Sequence, residues 1–514
     1  MSKTIIIIGA GLAGLSAALQ AAENGCNVKL VSSLPSERAQ SVMAEGGINA
    51  ALNTKDENDS PEEHFTDTIK AACGLADPNA VWGMTQAAPE LVHWLLKLGV
   101  KFNMSGYDDV DLRNFGGQKK KRTAFAQSDT GKQIMTAMID AVRRKEASGM
   151  VERFSHHSFL TLRLCGSVCC GCVIRDEYSQ ETVELPGDAV IVATGGMHGL
   201  FGNTTGSLSN TGEVTAELFR LGVPLANGEM IQYHPTTVKC GGKRMLISEA
   251  ARGEGGRLFA MKDGKQWYFM EEKYPELGNL MPRDITAREI WKVSHESEVF
   301  LDMTEISEEI ISNKLSGLAD DCMTYLHKDI RKEPVSVLPG IHYFMGGILV
   351  DEQHRTPIQN LYAAGECCAQ YHGANRLGGN SLLGALYGGR VAAKSACEQA
   401  DVVDLSCATQ IDFPPASQIS EIKQLNKVMQ ETMGVVRNEN TLLNGIQTVQ
   451  ALTGNLPLLG MAVLKSALAR KESRGAHWRE DYPKSNDDDY LKTTVARFDG
   501  KQIQISFVPV PERR

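Results

Sequence analysis

The sequence predicts an α/β protein whose central parallel sheet is assembled from separate parts of the chain. A β-branched run, Thr4–Ile8, leads directly into the turn Gly9-Ala10-Gly11-Leu12-Ala13-Gly14 and then into a helical stretch. Two later apolar runs, within 187–196 and 360–366, also end in glycine turns. Buried parallel strands appear in a sequence as continuous apolar runs, so these three elements predict one discontinuous sheet.

The first element predicts a phosphate-binding turn because its GxGxxG stands between a strand and a helix. In such a turn Gly9 permits the tight bend, Gly11 lets the backbone approach a pyrophosphate, and Gly14 lets helix and strand pack closely. The second strand ends at Val31-Ser32-Ser33, without the carboxylate that usually binds a ribose. The pattern therefore favours neither NAD nor NADP and leaves FAD open.

The positions of the three strands predict how the chain is divided. A cofactor domain is expected from residues 1–228 and 344–400, with the segment 229–343 inserted between its two parts. Residues 401–514 have helical apolar spacing over much of their length and predict a C-terminal helical domain with a short tail. About three domains agree with a length of 514 residues.

Charge and hydropathy narrow the class of protein. The net charge is −9, from 53 basic and 62 acidic residues, which argues against a nucleic-acid-binding surface. No apolar run reaches the roughly 18–20 residues of a membrane span. The N-terminal run MSKTIIIIGAG is too short and too glycine-rich for a secretory signal. We predict a cytoplasmic protein without a membrane span of its own.

The tightest cysteine group raises the question of a metal site. Its members are Cys165, Cys169, Cys170 and Cys172. The surrounding segment alternates as a pair of strands does, so we predict no metal there. The sequence also lacks a CxxCH motif, which argues against an attached c-type haem.

Five segments after residue 230 place basic or imidazole side chains among glycines and small residues. Each histidine alone fits a core position, and each arginine alone fits a surface ion pair. Together they predict a pocket for a dianion, because arginine binds carboxylates through its planar fork and histidine adds a hydrogen-bond donor. The segments are QYHPT (232–236), SEAARGEGG (248–256), PRD (282–284), HYFMGG (342–347) and HGANRLGGNS (372–381).

Ten motifs occur in one order between about residues 4 and 484. They are GAGLAG, AEGGINAAL, ATGG, QYHPT, SEAARGEGG, PRD, HYFMGG, AAGE, HGANRLGGNSLL and ESRGAHWREDYP. This set resembles the flavoprotein subunit of the fumarate reductase and succinate dehydrogenase family, to which L-aspartate oxidase is closely related. The resemblance implies a discontinuous Rossmann-like FAD-binding domain, an inserted α+β capping domain and a C-terminal helical domain.

The resemblance also implies which residues contact the cofactor. Gly9, Gly11 and Gly14 would hold the FAD pyrophosphate. Glu366 would bind hydroxyls of the adenosine or ribityl portion. The remaining implied contacts are Ser32, Ser41, Gly46, Gly47, Ala193, Thr194 and Gly195, with Ser381 and Leu382 next to the isoalloxazine.

The same resemblance implies a pocket for a C4 dicarboxylate. Its implied substrate contacts are His234, Ser248, His342, Arg376 and Phe115. In the family a hydride passes between flavin N5 and one carbon of the substrate double bond. Arg283 matches the arginine that donates a proton to the other carbon, and Glu249 and Arg252 match its proton-relay partners.

One departure from the family pattern concerns how FAD is attached. Respiratory members bond FAD covalently to a histidine, but here Gln40 stands at that position. An amide has no basic ring nitrogen to attack the flavin methyl, so we predict non-covalent FAD. Loss of the bond lowers the flavin potential in the family, and we therefore expect a bias toward fumarate reduction. Residues 211–214 read TGEV in place of the family's TGDG, which leaves one FAD contact open.

Three other functions remain as alternatives. L-aspartate oxidases resemble the chain around 248–250 and 284–288 but carry a glutamate where Phe115 stands. Phe115 cannot pair with a substrate ammonium group, which favours a substrate without an amino group. The others are a reductase of another enoate and an electron-transfer subunit without substrate turnover. The clustered arginines and histidines argue against the last.

Electrons must reach this protein from elsewhere, because its sequence carries no iron–sulfur or haem motif. The resemblance implies an iron–sulfur protein subunit as the partner. In the family that partner is often held on a membrane anchor, which would bring the chain to the cytoplasmic face of a membrane.

Overall fold

The structure, a computed structural model, describes residues 2–106, 108–402, 411, 413 and 418–514. Part of the predicted C-terminal domain (403–410, 412 and 414–417) lies outside these residues. The strands are β1 (Thr4–Ile8), β2 (Asn27–Ser32), β3 (Ile48–Asn49), β4 (Leu112–Arg113), β5 (Thr123–Ala124), β6 (Val151–Ser155), β7 (His157–Cys165), β8 (Val168–Asp176), β9 (Thr182–Pro186), β10 (Ala189–Val192), β11 (Leu225–Ala226), β12 (Ile231–Cys240), β13 (Lys243–Leu246), β14 (Arg257–Lys262), β15 (Lys265–Trp267), β16 (Val299–Asp302), β17 (Val335–Ser336), β18 (Leu338–Phe344), β19 (Gly347–Leu349), β20 (Leu361–Ala363), β21 (Cys368–Ala369), β22 (Lys492–Phe498) and β23 (Ile503–Pro509).

The α-helices fall mainly into three groups: those beside the parallel sheet, those of the inserted segment and those near the C-terminus. They are α1 (Leu12–Glu23), α2 (Pro61–Ala71), α3 (Pro78–Lys97), α4 (Thr130–Ala147), α5 (Glu213–Arg220), α6 (Glu249–Gly253), α7 (Phe269–Lys273), α8 (Arg283–Val293), α9 (Glu308–Lys314), α10 (Ser316–Asp321), α11 (Asn380–Gln399), α12 (Ile419–Thr432), α13 (Glu439–Val449), α14 (Asn455–Ala469) and α15 (Asp487–Tyr490).

The predicted discontinuous sheet is confirmed as a five-stranded parallel sheet in the order β20-β10-β1-β2-β6. Its register places Ile8 of β1 opposite Val31 of β2 and Val192 of β10. Val192 in turn lies opposite Ala363 of β20. The carboxyl ends of the strands therefore meet at one edge, where ligands of open α/β sheets bind.

The turn between β1 and α1 requires glycine at two positions. Gly9 has φ +110°, and a Cβ there would lie 2.3 Å from the carbonyl oxygen of Ala193. A Cβ on Gly14 would lie 1.8 Å from the carbonyl oxygen of Gly9. Close packing of α1 on β1 thus depends on the absent side chains.

The inserted segment has α+β structure and an apolar core of its own. Strands β12 and β18, near its two ends, pair antiparallel. A second sheet, in the order β15-β14-β16-β17, lies between them in sequence. Its buried core includes Ile247, Leu258, Phe269, Ile290 and Leu301.

The C-terminal part begins with helices and ends in strands. Helices α12, α13 and α14 share an apolar core with Leu200, Phe201 and Phe219. The hairpin β22–β23 then adds to β11, with Ala496 opposite Leu225. This hairpin departs from the helical expectation. Gly500, at φ +89°, permits the turn between strands rich in β-branched residues.

The structure also bears on the predictions made for the cysteine group and for membrane spans. The cysteine group lies on the antiparallel strands β7 and β8. Within the described ranges we find no group of three or more histidine, cysteine or acidic side chains arranged to hold a metal. No helix among the described residues is long and apolar enough to cross a bilayer.

Candidate functional site

A cavity of about 560 Å³ begins at the carboxyl edge of the parallel sheet and extends to the inserted segment. The predicted cofactor residues that line it are Gly9, Gly11, Ser32, Ser41, Gly46, Gly47, Ala193, Thr194, Gly195, Glu366, Ser381 and Leu382. The predicted substrate and catalytic residues that line it are Phe115, His234, Ser248, Glu249, Arg283, His342 and Arg376. Two predicted residues do not line the cavity. Gly14 packs against the carbonyl group of Gly9, and Arg252 contacts Glu249. One cavity thus joins both sets.

The sheet end of the cavity suits a dinucleotide. The N-terminus of α1 opens there after Gly11, where an added Cβ would meet nothing closer than 3.6 Å. Free N–H groups at a helix N-terminus bind phosphate. Ser41 Oγ accepts a hydrogen bond from Leu12 N at 3.3 Å. Ser32 Oγ is buried and has no hydrogen-bond partner, as expected of a group that awaits a ligand hydroxyl. These residues fit FAD.

Helix α11 presents its first turn, including Ser381 and Leu382, to the middle of the cavity. A buried asparagine fixes the start of this helix. Asn49 Nδ2 donates to the carbonyl oxygen of Gly378 and to Asn380 Oδ1, both at 2.7 Å. The helix N-terminus, with its partial positive charge, is therefore held in place beside the cavity.

The far end of the cavity holds two neutral imidazoles from paired strands. His234 belongs to β12 and His342 to β18, and their ring centroids are 5.1 Å apart. Burial, together with the charge of Arg283, holds the pKa of both rings well below the usual value. His234 Nδ1 contacts the carbonyl oxygen of Thr236 at 3.0 Å, which leaves Nε2 for a ligand.

Arg376 supplies a buried guanidinium at the same end. It lies over the ring of Tyr343, 4.3 Å from the centroid, and its Nε has no hydrogen-bond partner. Burial, and then repulsion from Arg283, lowers the pKa of Arg376 to about 9. A bound anion would offset the free-energy cost of burying the charge of Arg376, so the arrangement favours a carboxylate ligand.

Arg283, Glu249 and Arg252 form a buried chain of charges. Arg283 donates to Glu249 Oε2 from Nε at 2.7 Å, and its Nη2 lies 2.6 Å from the same oxygen. Arg252 Nη2 lies 3.5 Å from Glu249 Oε1. Burial raises the pKa of Glu249, but the two arginines outweigh it and keep the pKa below its usual value. Glu249 is thus a carboxylate between two cations.

Three residues that contact the predicted site residues were not themselves predicted as site residues. Gln232 Oε1 accepts from Arg283 Nη1 at 3.1 Å, and the N–H of Gly116 donates to Glu249 Oε1 at 3.0 Å. Thr205 Oγ1 lies 2.8 Å from His342 Nδ1. Gln232 belongs to the motif QYHPT, although the sequence assigned it no role, whereas nothing in the sequence around Thr205 marked it.

Comparison with family models matches two parts of the chain, the first of which covers well over half of it. Residues 4–382 match the model described as FAD binding domain. Residues 452–513 match the model described as fumarate reductase flavoprotein C-term. The first match contains the parallel sheet, the inserted segment and the start of α11.

Known proteins with the same architecture include dehydrogenases and reductases. The chain is 38% identical to the succinate dehydrogenase flavoprotein subunit of Bacillus subtilis, covering 100% of this chain and 98% of that protein. It is 32% identical to the 8-methylmenaquinol:fumarate reductase flavoprotein subunit of Wolinella succinogenes, with coverages of 100% and 92%.

Solved structures give the same result. A mutant of FrdA from E. coli quinol fumarate reductase matches with a TM-score of 0.89 at 27% identity, covering 99% of this chain and 97% of that one. Sdh1 of Mycobacterium smegmatis matches with a TM-score of 0.84 at 29% identity, with coverages of 100% and 95%. The chain therefore belongs to the family of fumarate reductase and succinate dehydrogenase flavoprotein subunits, which are FAD-dependent oxidoreductases.

Proposed function

We propose that the chain is a catalytic subunit that interconverts fumarate and succinate, with a bias toward fumarate reduction. The observation that carries this proposal is the convergence of His234, His342, Arg283 and Arg376 at one end of the cavity. Two imidazoles and two guanidinium groups suit a ligand with two carboxylates. The other end of the same cavity fits FAD.

In the proposed complex, the substrate carboxylates contact Arg376, Ser248 and the two histidines. Arg376 supplies full positive charge, and the neutral imidazole of His342 can donate one hydrogen bond from Nε2, since Thr205 Oγ1 lies at its Nδ1. Ser248 also caps α6, since its Oγ accepts from Ala250 N at 3.4 Å. Fixed donors that polarise the bound alkene would make it a better hydride acceptor. When bound and reduced, FAD would supply the hydride that one alkene carbon receives.

Arg283 is the proposed proton donor to the second alkene carbon. An arginine holds its proton tightly, so donation requires a neighbour that replaces the proton quickly. Glu249 is hydrogen-bonded to Arg283 and close to Arg252, which makes it the proposed relay. Hydride addition at one carbon and proton addition at the other convert fumarate to succinate.

A flavin oxidation assay tests this function. Fumarate should oxidise the chemically reduced flavoprotein within seconds, whereas L-aspartate should leave the oxidised flavin unchanged. The second expectation follows from Phe115, which is buried against Gly46 and Gly378 and offers no carboxylate to an ammonium group. The flavin absorption spectrum reports both results.

Three other outcomes, the last two of which need further enoates as test substrates, would favour the alternatives. Bleaching of the flavin by L-aspartate would favour an oxidase. Oxidation by a different enoate but not by fumarate would keep the chemistry and change the substrate. A reduced flavin that no enoate oxidises would favour a subunit that only transfers electrons.

We also propose that FAD is bound without a covalent bond, since Gln40 lies on the cavity wall where a linking histidine would be needed. Acid denaturation and filtration should release all of the flavin into the filtrate, and none should stay with the precipitated chain. Flavin fluorescence of a denaturing gel gives a second measurement. Flavin that remained on the polypeptide would contradict the proposal and remove the main support for the reductive bias.

The remaining proposals concern organisation and partners. Residues 1–228 and 344–400 would form the FAD-binding domain, 229–343 the capping domain and 401–514 the C-terminal domain. The electron donor would be an iron–sulfur protein subunit, which would place the chain at the cytoplasmic face of a membrane. Support comes from relatives whose names describe quinol-linked reductases and dehydrogenase subunits.

A further inference from the structure

His198 is a buried histidine to which the proposed function gives no role. It stands at the start of the short 3₁₀ turn His198–Leu200 that follows β10, and none of its surface is exposed. Its ring meets Phe344 edge to face, with centroids 5.0 Å apart. A Cβ on Gly206 would come within 2.2 Å of ring carbon Cε1. The ring is therefore clamped in one orientation.

The hydrogen bonds around His198 assign its tautomer. Nδ1 lies 3.0 Å from Thr204 Oγ1, and the same oxygen accepts from Gly206 N at 3.2 Å. Thr204 is fully buried, so its single hydroxyl proton needs an acceptor. Nδ1 is that acceptor. The neutral ring then carries its proton on Nε2.

Nε2 points at a carboxylate that lines the cofactor cavity. Among the described residues it has no hydrogen-bond partner, and Glu366 Oε1 is 3.7 Å away. Glu366 also accepts from Phe344 N at 3.1 Å, and its side chain is 14% exposed. A shift of about half an ångström would bring Nε2 and Oε1 within hydrogen-bond distance.

We propose that His198 is a positioning residue that donates from Nε2 to Glu366 and holds this carboxylate ionised and oriented toward the hydroxyls of FAD. This inference rests on the proposed cofactor role of Glu366. A charge-assisted hydrogen bond favours the ionised form of its acceptor. His198 would thereby strengthen the contact between Glu366 and FAD without touching FAD itself.

The surrounding charges leave Glu366 sensitive to this donor. Burial raises the pKa of Glu366 to about 7, while the amide of Phe344 and the charge of Arg376 act in the opposite direction. Burial also lowers the pKa of His198 to about 4, so the ring stays neutral near pH 7. Tyr343 and Cys367 have pKa values raised by burial and stay neutral as well, and burial holds the pKa of His342, a neighbour of His198, well below its usual value, so that this ring is also neutral.

Replacing His198 by leucine should raise the pH at which Glu366 ionises by about one unit, because the donor is lost. Infrared difference spectra of the holoprotein, recorded across this pH range, measure the protonated carboxyl band. Glu366→Gln identifies that band by removing it. The rate at which diluted holoprotein releases FAD should also increase in His198→Leu, and more strongly at low pH.

His198→Gln is the matched control, since its side-chain amide keeps a donor at similar reach. It should return the pH midpoint of Glu366 ionisation to within a few tenths of a unit of the parent value. It also keeps the inference testable if His198→Leu does not fold. An unchanged midpoint in His198→Leu, or a midpoint in His198→Gln equally displaced, would overturn the inference. A Glu366→Gln variant that keeps FAD as tightly as the parent would instead count against the proposed cofactor role of Glu366.

Discussion

Replacing Arg283 by glutamine should lower kcat for fumarate reduction by about 10³-fold or more while FAD stays bound. The variant loses the proposed proton donor and the charge that Glu249 accepts from at 2.7 Å. The glutamine side chain is shorter and uncharged, but it keeps a polar amide at the start of α8. Steady-state rates with a reduced viologen dye measure kcat and KM, and the flavin spectrum confirms occupancy.

Arg288→Gln is the matched control for this experiment. Arg288 lies on the same helix α8, but its guanidinium stacks on Trp478, 4.1 Å from the ring centroid. It does not line the cavity. Its kcat should stay within about twofold of the parent, as expected of a residue away from the chemistry. If Arg283→Gln kept the parent rate, the proposed proton path through Glu249 would be wrong.

Replacing Gly14 by alanine should lower the free energy of unfolding by about 4 kcal/mol or more and yield protein that lacks FAD. The added Cβ would lie 1.8 Å from the carbonyl oxygen of Gly9, closer than any real contact. Helix α1 must therefore move away from β1. That movement opens the phosphate-binding turn. Urea unfolding measures the stability, and flavin absorbance per chain measures the cofactor content.

Gly242→Ala provides the control, because a Cβ there would meet nothing within 4 Å. Its midpoint of unfolding and its flavin content should match those of the parent. A stable Gly14→Ala protein with full flavin content would show that α1 tolerates displacement. In that case the close helix–strand contact would not be what holds the cofactor turn in place.

The parallel sheet and its first turn could be predicted from the sequence because their determinants are local. The run Thr4–Ile8 and the glycines after it specify strand, bend and helix within a short stretch. The hairpin β22–β23 had a local signal too, an Asp-Gly pair between β-branched residues. The helical spacing before it led to the prediction of a helical domain with only a short tail.

The sequence itself predicted a pocket for a dianion, but the roles of individual residues at the substrate end came only from the resemblance to a family. A single histidine such as His234 has no spacing that distinguishes a ligand-binding side chain from a core residue. The approach of His198 to Glu366 was not predictable, since it depends on how the turn after β10 packs against β18. The buried ion pairs of Arg122 with Asp59 and Asp67, at 2.8 and 3.0 Å, also arise only in the folded chain.

The strand order of the parallel sheet has a consequence for how the protein is made. Strand β10 pairs with β1 on one side and with β20 on the other, and the whole inserted segment separates β10 from β20 in sequence. During synthesis β10 must keep one edge unpaired until β20 has left the ribosome. Such long-range pairing is slow, and an open strand edge invites aggregation. FAD can enter a complete crevice only after that point, which makes cofactor loading a late event in biogenesis.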